Sequence, residues 1–187
     1  ASAEFASGVH LLVMGQQNEY YQSVLKPLAE KGPWRDRVRF LPYVPHEKAM
    51  TYVAGADLGV VIYEPINRNN YLCASSKLYE YVMARIPVVV ADLPELRAFL
   101  EEFPVGVHFD PTSAGSIASA VNRLCGRGAS EDKRIQLYLE AARSRFTWEA
   151  ERKKLFDAYR SLVNDGASDR KPGREMEYVP YDRERSH

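Results

Sequence analysis

Residues 75–80 combine residue types that suit phosphate binding. Ser75, Ser76 and Lys77 stand at the start of a predicted helix, and Glu80 follows one turn deeper. The first turn of a helix has free N–H groups and a partial positive charge, so serine hydroxyls and a lysine placed there could hold a phosphate. Glu80 could accept both hydroxyls of a ribose. An ordinary capped helix with a solvated lysine and glutamate explains the same residues equally well.

Two other loops carry candidate binding residues. Gly15 closes an apolar run at residues 9–14, and a glycine there lets a ligand approach the backbone. A tight strand-to-helix turn explains Gly15 as well. Tyr43 follows the next apolar run, where its ring could stack on a nucleobase or could simply fill space beside two prolines.

Other chemistries lack the residues that they need. The four histidines are scattered and show no close spacing with Cys or Asp, which predicts no metal site. Cys73 has no histidine and acidic partner in the sequence to activate it, and neither a P-loop nor a G-x-S-x-G motif occurs. Lys plus Arg and Asp plus Glu each number 25, and this balance argues against a broad nucleic-acid surface.

The elements that must position these residues alternate along the chain. Apolar runs predict strands at 9–14, 38–41, 58–62, 87–90 and 105–109. Amphipathic patterns predict helices at 18–31, 46–54, 75–85 and 92–102. A further helix is predicted to begin at the cap Ser113, and a final pair follows at 130–145 and 147–164. This order predicts an α/β fold: a doubly wound, mostly parallel Rossmann-like sheet with helices on both faces and a C-terminal helical pair. Ligands of such sheets bind beyond the carboxyl ends of the strands.

Three local expectations accompany this reading. The Asn-rich stretch at 64–70 is predicted to be a loop without periodicity. Asp92 is expected to cap the helix that begins there. The helix at 18–31 is expected to place one apolar face inward, formed by Tyr21, Val24, Leu25 and Leu28.

Length and composition suit one soluble domain. The chain has 187 residues, of which 45% are hydrophobic. We predict a domain at 1–164 and a polar, disordered tail at 165–187. No apolar run is long enough to span a membrane, the N-terminus lacks the regions of a signal peptide, and the two cysteines suit a reducing compartment, so a cytoplasmic location is expected.

Five segments, in order, resemble one enzyme family. The stretch SSKLYEYVMARIPVVV (residues 75–90) is similar to the S-x-K-L-x-E-Y-M-A-x-G-x-P-V-V segment of retaining group 1 glycosyltransferases with the GT-B fold. Four more segments resemble that family: LVMG (12–15), VRFLPYVP (38–45), YVAGADLGV (52–60) and FTWE (146–149). The resemblance covers about residues 8–163 and implies the C-terminal, donor-binding half of such an enzyme.

The resemblance also implies roles for individual residues. Glu80 would bind the ribose of a nucleotide-diphosphate sugar. Ser76, Lys77 and the N–H of Leu78 would hold the diphosphate. The reaction would transfer a glycosyl group, of hexosyl type, to an acceptor hydroxyl in the synthesis of a glycan or cell-surface polysaccharide. Positive groups would stabilise the leaving diphosphate, so neither a cofactor nor a metal is expected.

The remaining contacts implied by the resemblance lie on the first two loops. The segment formed by Tyr43 and Val44 would face the base, and Gly15 would line the phosphate side. No residue is assigned to catalysis.

This chain also departs from the family pattern. Leu72 stands where many members have a glutamate near the transferred sugar, and Arg85-Ile86 stands where A-x-G is usual. The family's first strand of this half and its N-terminal acceptor-binding domain have no counterpart. We therefore expect part of a larger enzyme, or one chain of a split one. Its partners would be a nucleotide sugar and that acceptor domain or a partner chain, and it would be inactive alone.

Two alternatives remain open at this point. One is a non-catalytic Rossmann-like binding or assembly module, and the other is a sugar-nucleotide epimerase of the same fold. The missing acceptor domain would also be the means of any peripheral attachment to a membrane.

Overall fold

The computed structural model describes residues 4–32 and 34–165. It contains five strands, β1 (Leu11–Gly15), β2 (Val38–Pro42), β3 (Gly59–Val61), β4 (Val88–Ala91) and β5 (Gly106–Phe109). Its α-helices are α1 (Lys26–Lys31), α2 (His46–Ala54), α3 (Arg68–Tyr71), α4 (Ser76–Met83), α5 (Pro94–Glu102), α6 (Ala114–Cys125), α7 (Ala129–Arg145) and α8 (Trp148–Asp165).

The chain divides into two compact units after Phe146. The first contains all five strands and helices α1 to α7. The second contains α8, whose first turn is capped by Thr147 through a 3.2 Å bond from the N–H of Ala150 to the Thr147 hydroxyl. The predicted domain boundary at residue 164 stays a prediction. The predicted tail was 165–187: Asp165 is instead the last residue of α8, and residues 166–187 lie outside the described part.

All strand pairs within the described residues are parallel, which confirms the predicted α/β class. β1 pairs with β2, from Leu11 opposite Val38 to Gly15 opposite Pro42. β3 pairs with β4, and β4 pairs with β5. The arrangement differs from the expected single sheet, because these strands form one two-stranded and one three-stranded sheet.

The hydrophobic core surrounds β4. Every residue of Val88–Ala91 is fully buried, as expected for a parallel strand covered on both faces. Buried residues of four helices belong to the same cluster, among them Leu78 and Val82 of α4, Leu96 of α5, Leu124 of α6 and Leu139 of α7. The central strand therefore anchors the elements that follow β3.

Two backbone positions in this half have special requirements. Gly59 lies directly under the ring of Tyr81, and a Cβ at this position would fall on that ring. Arg85, just beyond α4, has a φ of 61°, a left-handed conformation that favours glycine. Arg85 is held there by a 2.9 Å ion pair with Glu140 and by a bond from the Gln136 side chain to its carbonyl oxygen. In the family that the sequence resembles, this position is a glycine, and in this chain side-chain contacts hold Arg85 there.

Two of the three local expectations need correction. The predicted loop at 64–70 contains the start of α3, because the Asn67 side chain accepts the N–H of Asn70 and caps a helical turn. Asp92 does not cap α5, whose N-cap is Leu93 without a side-chain bond. Asp92 binds Arg97 instead, at 2.7 Å, and this ion pair removes the carboxylate from the cap.

The third expectation, an apolar inner face at 18–31, is only partly right. The helix is interrupted by a π-helical turn at Tyr21–Leu25 before α1 begins. Tyr21 and Leu25 are half-buried, and Tyr21 packs against Phe40, whereas Val24 and Leu28 are exposed. A π turn takes more residues than an α turn, so residues seven apart no longer share one face.

Candidate functional site

The start of α4 is built around a buried serine. Ser75 is 1% exposed, and its hydroxyl oxygen accepts the N–H of Lys77 at 3.2 Å. The same hydroxyl lies 3.3 Å from that of Tyr63. Ser75 is therefore the N-cap of the helix, and its hydroxyl is held by Tyr63, two residues beyond the end of β3.

Lys77 and Glu80 form an ion pair on the first turn of α4. The lysine Nζ lies 3.1 Å and 3.0 Å from the two carboxylate oxygens of Glu80. The side chain of Lys77 is 56% exposed and that of Glu80 is 20% exposed. Because Glu80 neutralises it, the lysine is tolerated near the positive end of the helix. Both groups remain open to solvent, so an incoming ligand could exchange this pair for contacts of its own.

The first-turn N–H groups are partly used. The N–H of Leu78 donates to the carbonyl oxygen of Ser75 at 3.1 Å, and the N–H of Lys77 donates to the Ser75 hydroxyl. The side chain of Leu78 is in the core, and Ser76 is exposed at the helix start. A diphosphate here would thus contact Ser76 and Lys77 directly and would have to share the N–H of Leu78.

A cavity of about 1030 Å³ lies beside this helix start. Lys77, Glu80 and Tyr81 line it from α4, and Met14 lines it from the end of β1. The Tyr81 hydroxyl donates to the carbonyl oxygen of Val60 at 3.4 Å. Burial raises the pKa of Tyr81 above its ordinary value of 10.0. The tyrosine is therefore a neutral hydrogen-bond donor at the wall of this cavity.

The other predicted binding residues lie at the end of the two-stranded sheet. Gly15 is paired in register with Pro42, which places it beside the segment of Tyr43 and Val44. Tyr43 is 66% exposed, and Val44 is half-buried. The predicted site residues thus form two groups, one at the end of β1 and β2 and one at the start of α4. None of Gly15, Tyr43 and Val44 lines the cavity that Lys77 and Glu80 share.

Some polar residues near the strand ends were not anticipated from the sequence. Tyr63 and Tyr81 position the start of α4 and the edge of β3, but an isolated tyrosine gives no signal of such a role. Asp92 and Arg97 pair at the end of β4, where the sequence had predicted Asp92 as a helix cap. Leu72, at the position of the absent family glutamate, is exposed in the segment that leads to α4.

The parallel α/β architecture, with candidate ligand residues at the carboxyl ends of its strands, defines a Rossmann-like domain. Residues 2–127 match the family described as glycosyl transferases group 1, which is more than half of the chain. This chain belongs to that family.

Two solved structures have the same fold as this chain. Sucrose-phosphate synthase from Thermosynechococcus elongatus matches with a TM-score of 0.65 and 22% identity, over 88% of this chain and 41% of that one. AviGT4, a glycosyltransferase involved in avilamycin A biosynthesis, matches with a TM-score of 0.57 and 16% identity, over 83% of this chain and 44% of that one. The chain therefore spans less than half the length of either structure. No curated protein is significantly similar to it in sequence.

No helix among the described residues is both long and apolar enough to cross a membrane.

Proposed function

We propose that this chain is the donor-binding part of a group 1 glycosyltransferase and that it holds a nucleotide-diphosphate sugar at the start of α4. The observation that carries this proposal is the solvent-accessible Lys77–Glu80 pair beside the buried cap Ser75. The pair offers one cation for a diphosphate and one carboxylate for the two hydroxyls of a ribose. Both groups stand on a rigid helix that packs in the core.

Ligand binding would rearrange this pair. The diphosphate would draw the ammonium of Lys77, and the ribose hydroxyls would donate to Glu80, so two charged groups that now bind each other would each bind ligand. Ser76 would add a hydroxyl, and the helix terminus would add its partial positive charge. In the transfer step, the same positive groups would stabilise the charge that develops on the departing diphosphate.

The base and the sugar would extend towards the other group of residues. Gly15 would leave room for the phosphate side, and Tyr43 with Val44 would face the base. The acceptor hydroxyl would come from a second domain or a partner chain, because this chain covers only 41% and 44% of the two solved enzymes. We therefore expect donor binding without turnover by residues 1–187 alone. A hexosyl donor, a role in polysaccharide synthesis and a cytoplasmic location remain predictions.

Calorimetric titration with UDP, GDP and ADP tests the donor site. We expect one of the three to bind, and Lys77→Ala to weaken it by about tenfold or more, because a charge-assisted hydrogen bond contributes about 1.5–3 kcal/mol. The matched control is Lys154→Ala, which removes the lysine of another exposed pair three residues apart, with Glu151 in α8. Equal losses in the two variants would contradict a specific diphosphate contact.

Glu80→Gln distinguishes the contact to the ribose from the contact to the diphosphate. The substitution frees Lys77 from its ion pair while it removes the carboxylate that the ribose would use. Inorganic pyrophosphate should then bind as well as to the unsubstituted chain, or more tightly, while the nucleoside diphosphate should bind about tenfold more weakly. A parallel loss of both ligands would mean that Glu80 maintains the site and does not contact the ribose.

A non-catalytic module is the second candidate. Leu72 in place of the family's glutamate favours it, and so does the fact that Lys77 and Glu80 satisfy each other without ligand. The absence of nucleotide binding in a protein that also carries the acceptor domain would favour this second function. No feature of the described residues favours the epimerase alternative.

A further inference from the structure

The segment of residues 4–9, called the strap below, leads into β1 and also contacts the core around β4. The side chains of Phe5 and Val9 pack against the buried cluster that surrounds β4. After Val9 the chain continues through His10 into β1, which forms a sheet with β2 alone among the described residues. The strap therefore connects the β1–β2 sheet with the core of the β3–β4–β5 sheet.

A side chain of α6 binds the backbone of the strap. The Nδ2 of Asn122 donates to the carbonyl oxygen of Glu4 at 2.9 Å, and its Oδ1 accepts the N–H of Ala6 at 2.8 Å. A carboxamide carries both a donor and an acceptor, so one side chain satisfies two backbone groups. Asn122 is half-buried on a helix whose Val121 and Leu124 belong to the core. These two bonds thus clamp the strap to a helix that is itself held by packing.

A second side chain binds the strap from the side of the β1–β2 sheet. The Nη1 of Arg37 donates to the carbonyl oxygens of Phe5 and Ala6, at 3.2 Å and 3.3 Å. The carbonyl oxygen of Arg37 accepts the N–H of Leu11, the first residue of β1, at 2.7 Å. Arg37 stands immediately before β2. Its backbone therefore holds the start of β1, while its guanidinium holds the strap.

The strap turns towards β1 at Gly8. The N–H of Val9 donates to the carbonyl oxygen of Ala6 at 3.2 Å, which closes a four-residue turn in which Gly8 has a φ of 89°. A left-handed φ at the third position of such a turn favours glycine. The path from the clamped Ala6 to the first residue of β1 is therefore short and contains a bonded turn. A displacement of the strap would move the start of β1 with it.

The proposed donor residues belong to the two parts that the strap connects. Lys77 and Glu80 are on α4, which packs in the core around β4. Gly15 and Tyr43 are at the end of the β1–β2 sheet, which is separate from the β3–β4–β5 sheet in the described part of the chain. A ligand that contacts both groups needs their spacing to be set, because binding residues contribute fully only when they are held in place.

We propose that Asn122 is a positioning residue of the donor site. By clamping the strap to α6, it sets the position of the β1–β2 sheet, with Gly15 and Tyr43, relative to Lys77 on α4. Its effect on the donor rests on the proposed function, whereas the clamp itself does not. Asn122 does not line the cavity that Lys77 and Glu80 share. Its loss should therefore weaken only the ligands that contact both groups of residues.

Calorimetric titration with two ligands tests this role. The nucleoside diphosphate that binds the unsubstituted chain would contact both groups, whereas inorganic pyrophosphate would contact only the start of α4 with Lys77. We expect Asn122→Ala to weaken the nucleoside diphosphate about fivefold or more and to leave pyrophosphate within about twofold. The matched control is Gln136→Ala, which removes a carboxamide that binds the carbonyl oxygen of Arg85, and it should change neither affinity. Equal losses of both ligands in Asn122→Ala, or no loss of either, would overturn the proposal.

A distance measurement tests the clamp without a ligand. Nitroxide labels on Arg39→Cys in β2 and Ala98→Cys in α5, two exposed positions, report the spacing of the two sheets by pulsed electron paramagnetic resonance. The two native cysteines are replaced by alanine for this purpose. We expect Asn122→Ala to broaden the distance distribution and the Gln136→Ala control to leave it unchanged.

The outcomes separate the clamp from the donor site. An unchanged distance distribution in Asn122→Ala would overturn the positioning role, whatever ligand the chain binds. A broader distribution in a chain that binds pyrophosphate but none of the nucleoside diphosphates would confirm that Asn122 positions the β1–β2 sheet, and it would overturn the proposed donor site instead.

Discussion

β4 and β1 have similar sequences and very different surroundings. Both are short apolar strands in parallel ladders, Val88–Ala91 and Leu11–Gly15. All four residues of β4 are 0% exposed, whereas Leu12 of β1 is 48% exposed. Helices α4 to α7 pack around β4, which has a strand on each side, whereas β1 has one strand neighbour within residues 4–32 and 34–165. An apolar run therefore predicts a strand but does not say how completely its sheet is built.

The two sheets are also expected to differ in their contribution to the free energy of unfolding. Burying a valine or leucine side chain contributes about 1.5–3 kcal/mol, so the β3–β4–β5 sheet and its helices hold most of the stability. In β1 and β2 no residue is fully buried. Regions with few buried apolar contacts open locally at low free-energy cost. We expect the β1–β2 part to exchange its amide hydrogens much faster than β4.

A charge in each strand gives the largest expected contrast. Val89→Asp places a carboxylate at a fully buried site, so we expect a loss of about 4 kcal/mol or more and little folded protein. Val13→Asp, at a site that is 36% exposed, should cost about 1 kcal/mol or less. Urea unfolding followed by circular dichroism measures both. A severe loss in Val13→Asp would show that β1 is as well covered as β4.

Truncating one leucine in α5 and one in β1 should give a smaller difference in stability. Leu96 of α5 is 0% exposed, so Leu96→Ala should leave a cavity and cost about 2–5 kcal/mol. Leu12→Ala should cost about 1 kcal/mol or less, because half of that side chain already meets solvent. Both changes remove the same atoms. Alanine is favoured in a helix and disfavoured in a strand, so propensity alone would make Leu12→Ala the costlier change, and a larger loss in Leu96→Ala reports its burial. Equal costs would contradict the proposed imbalance between the two halves.

Most of the secondary structure could be predicted from local patterns. The helix at 46–54 and the cap at Ser113 follow from side-chain spacing and from a polar residue at a helix start, and the structure confirms them. The α3 turn was missed because it depends on a single Asn67 contact inside a stretch without periodicity. Asp92 was misread because Arg97, five residues away, competes for its carboxylate.

The division into two sheets could not be predicted from strand patterns. Which strands pair depends on tertiary contacts, and the sequence of a single strand does not specify its partners. Prediction of the site was similarly limited. The spacing of Lys77 and Glu80 places them on one helix turn, but their ion pair, which a ligand would have to replace, is seen only in the structure. The bond from the Tyr81 hydroxyl to Val60 joins α4 to β3, so it could not be predicted without the position of that strand.

Substitution of Tyr81 has the smallest expected effect, and it tests a single contact at the edge of β3. At pH 7, Tyr81→Phe should cost about 1 kcal/mol or less, since it removes one long hydrogen bond to Val60. Burial raises the pKa of Tyr81, so the folded state holds the phenol proton more tightly than the unfolded state. The stability that the protonated phenol contributes is fully present below pH 10 and is lost as the pH rises above 10. The unsubstituted chain should therefore lose stability faster than the phenylalanine variant above pH 10, measured as the difference between their urea midpoints. A constant difference from pH 7 to 11 would mean that the hydroxyl meets solvent and that the edge of β3 is open to water at this point.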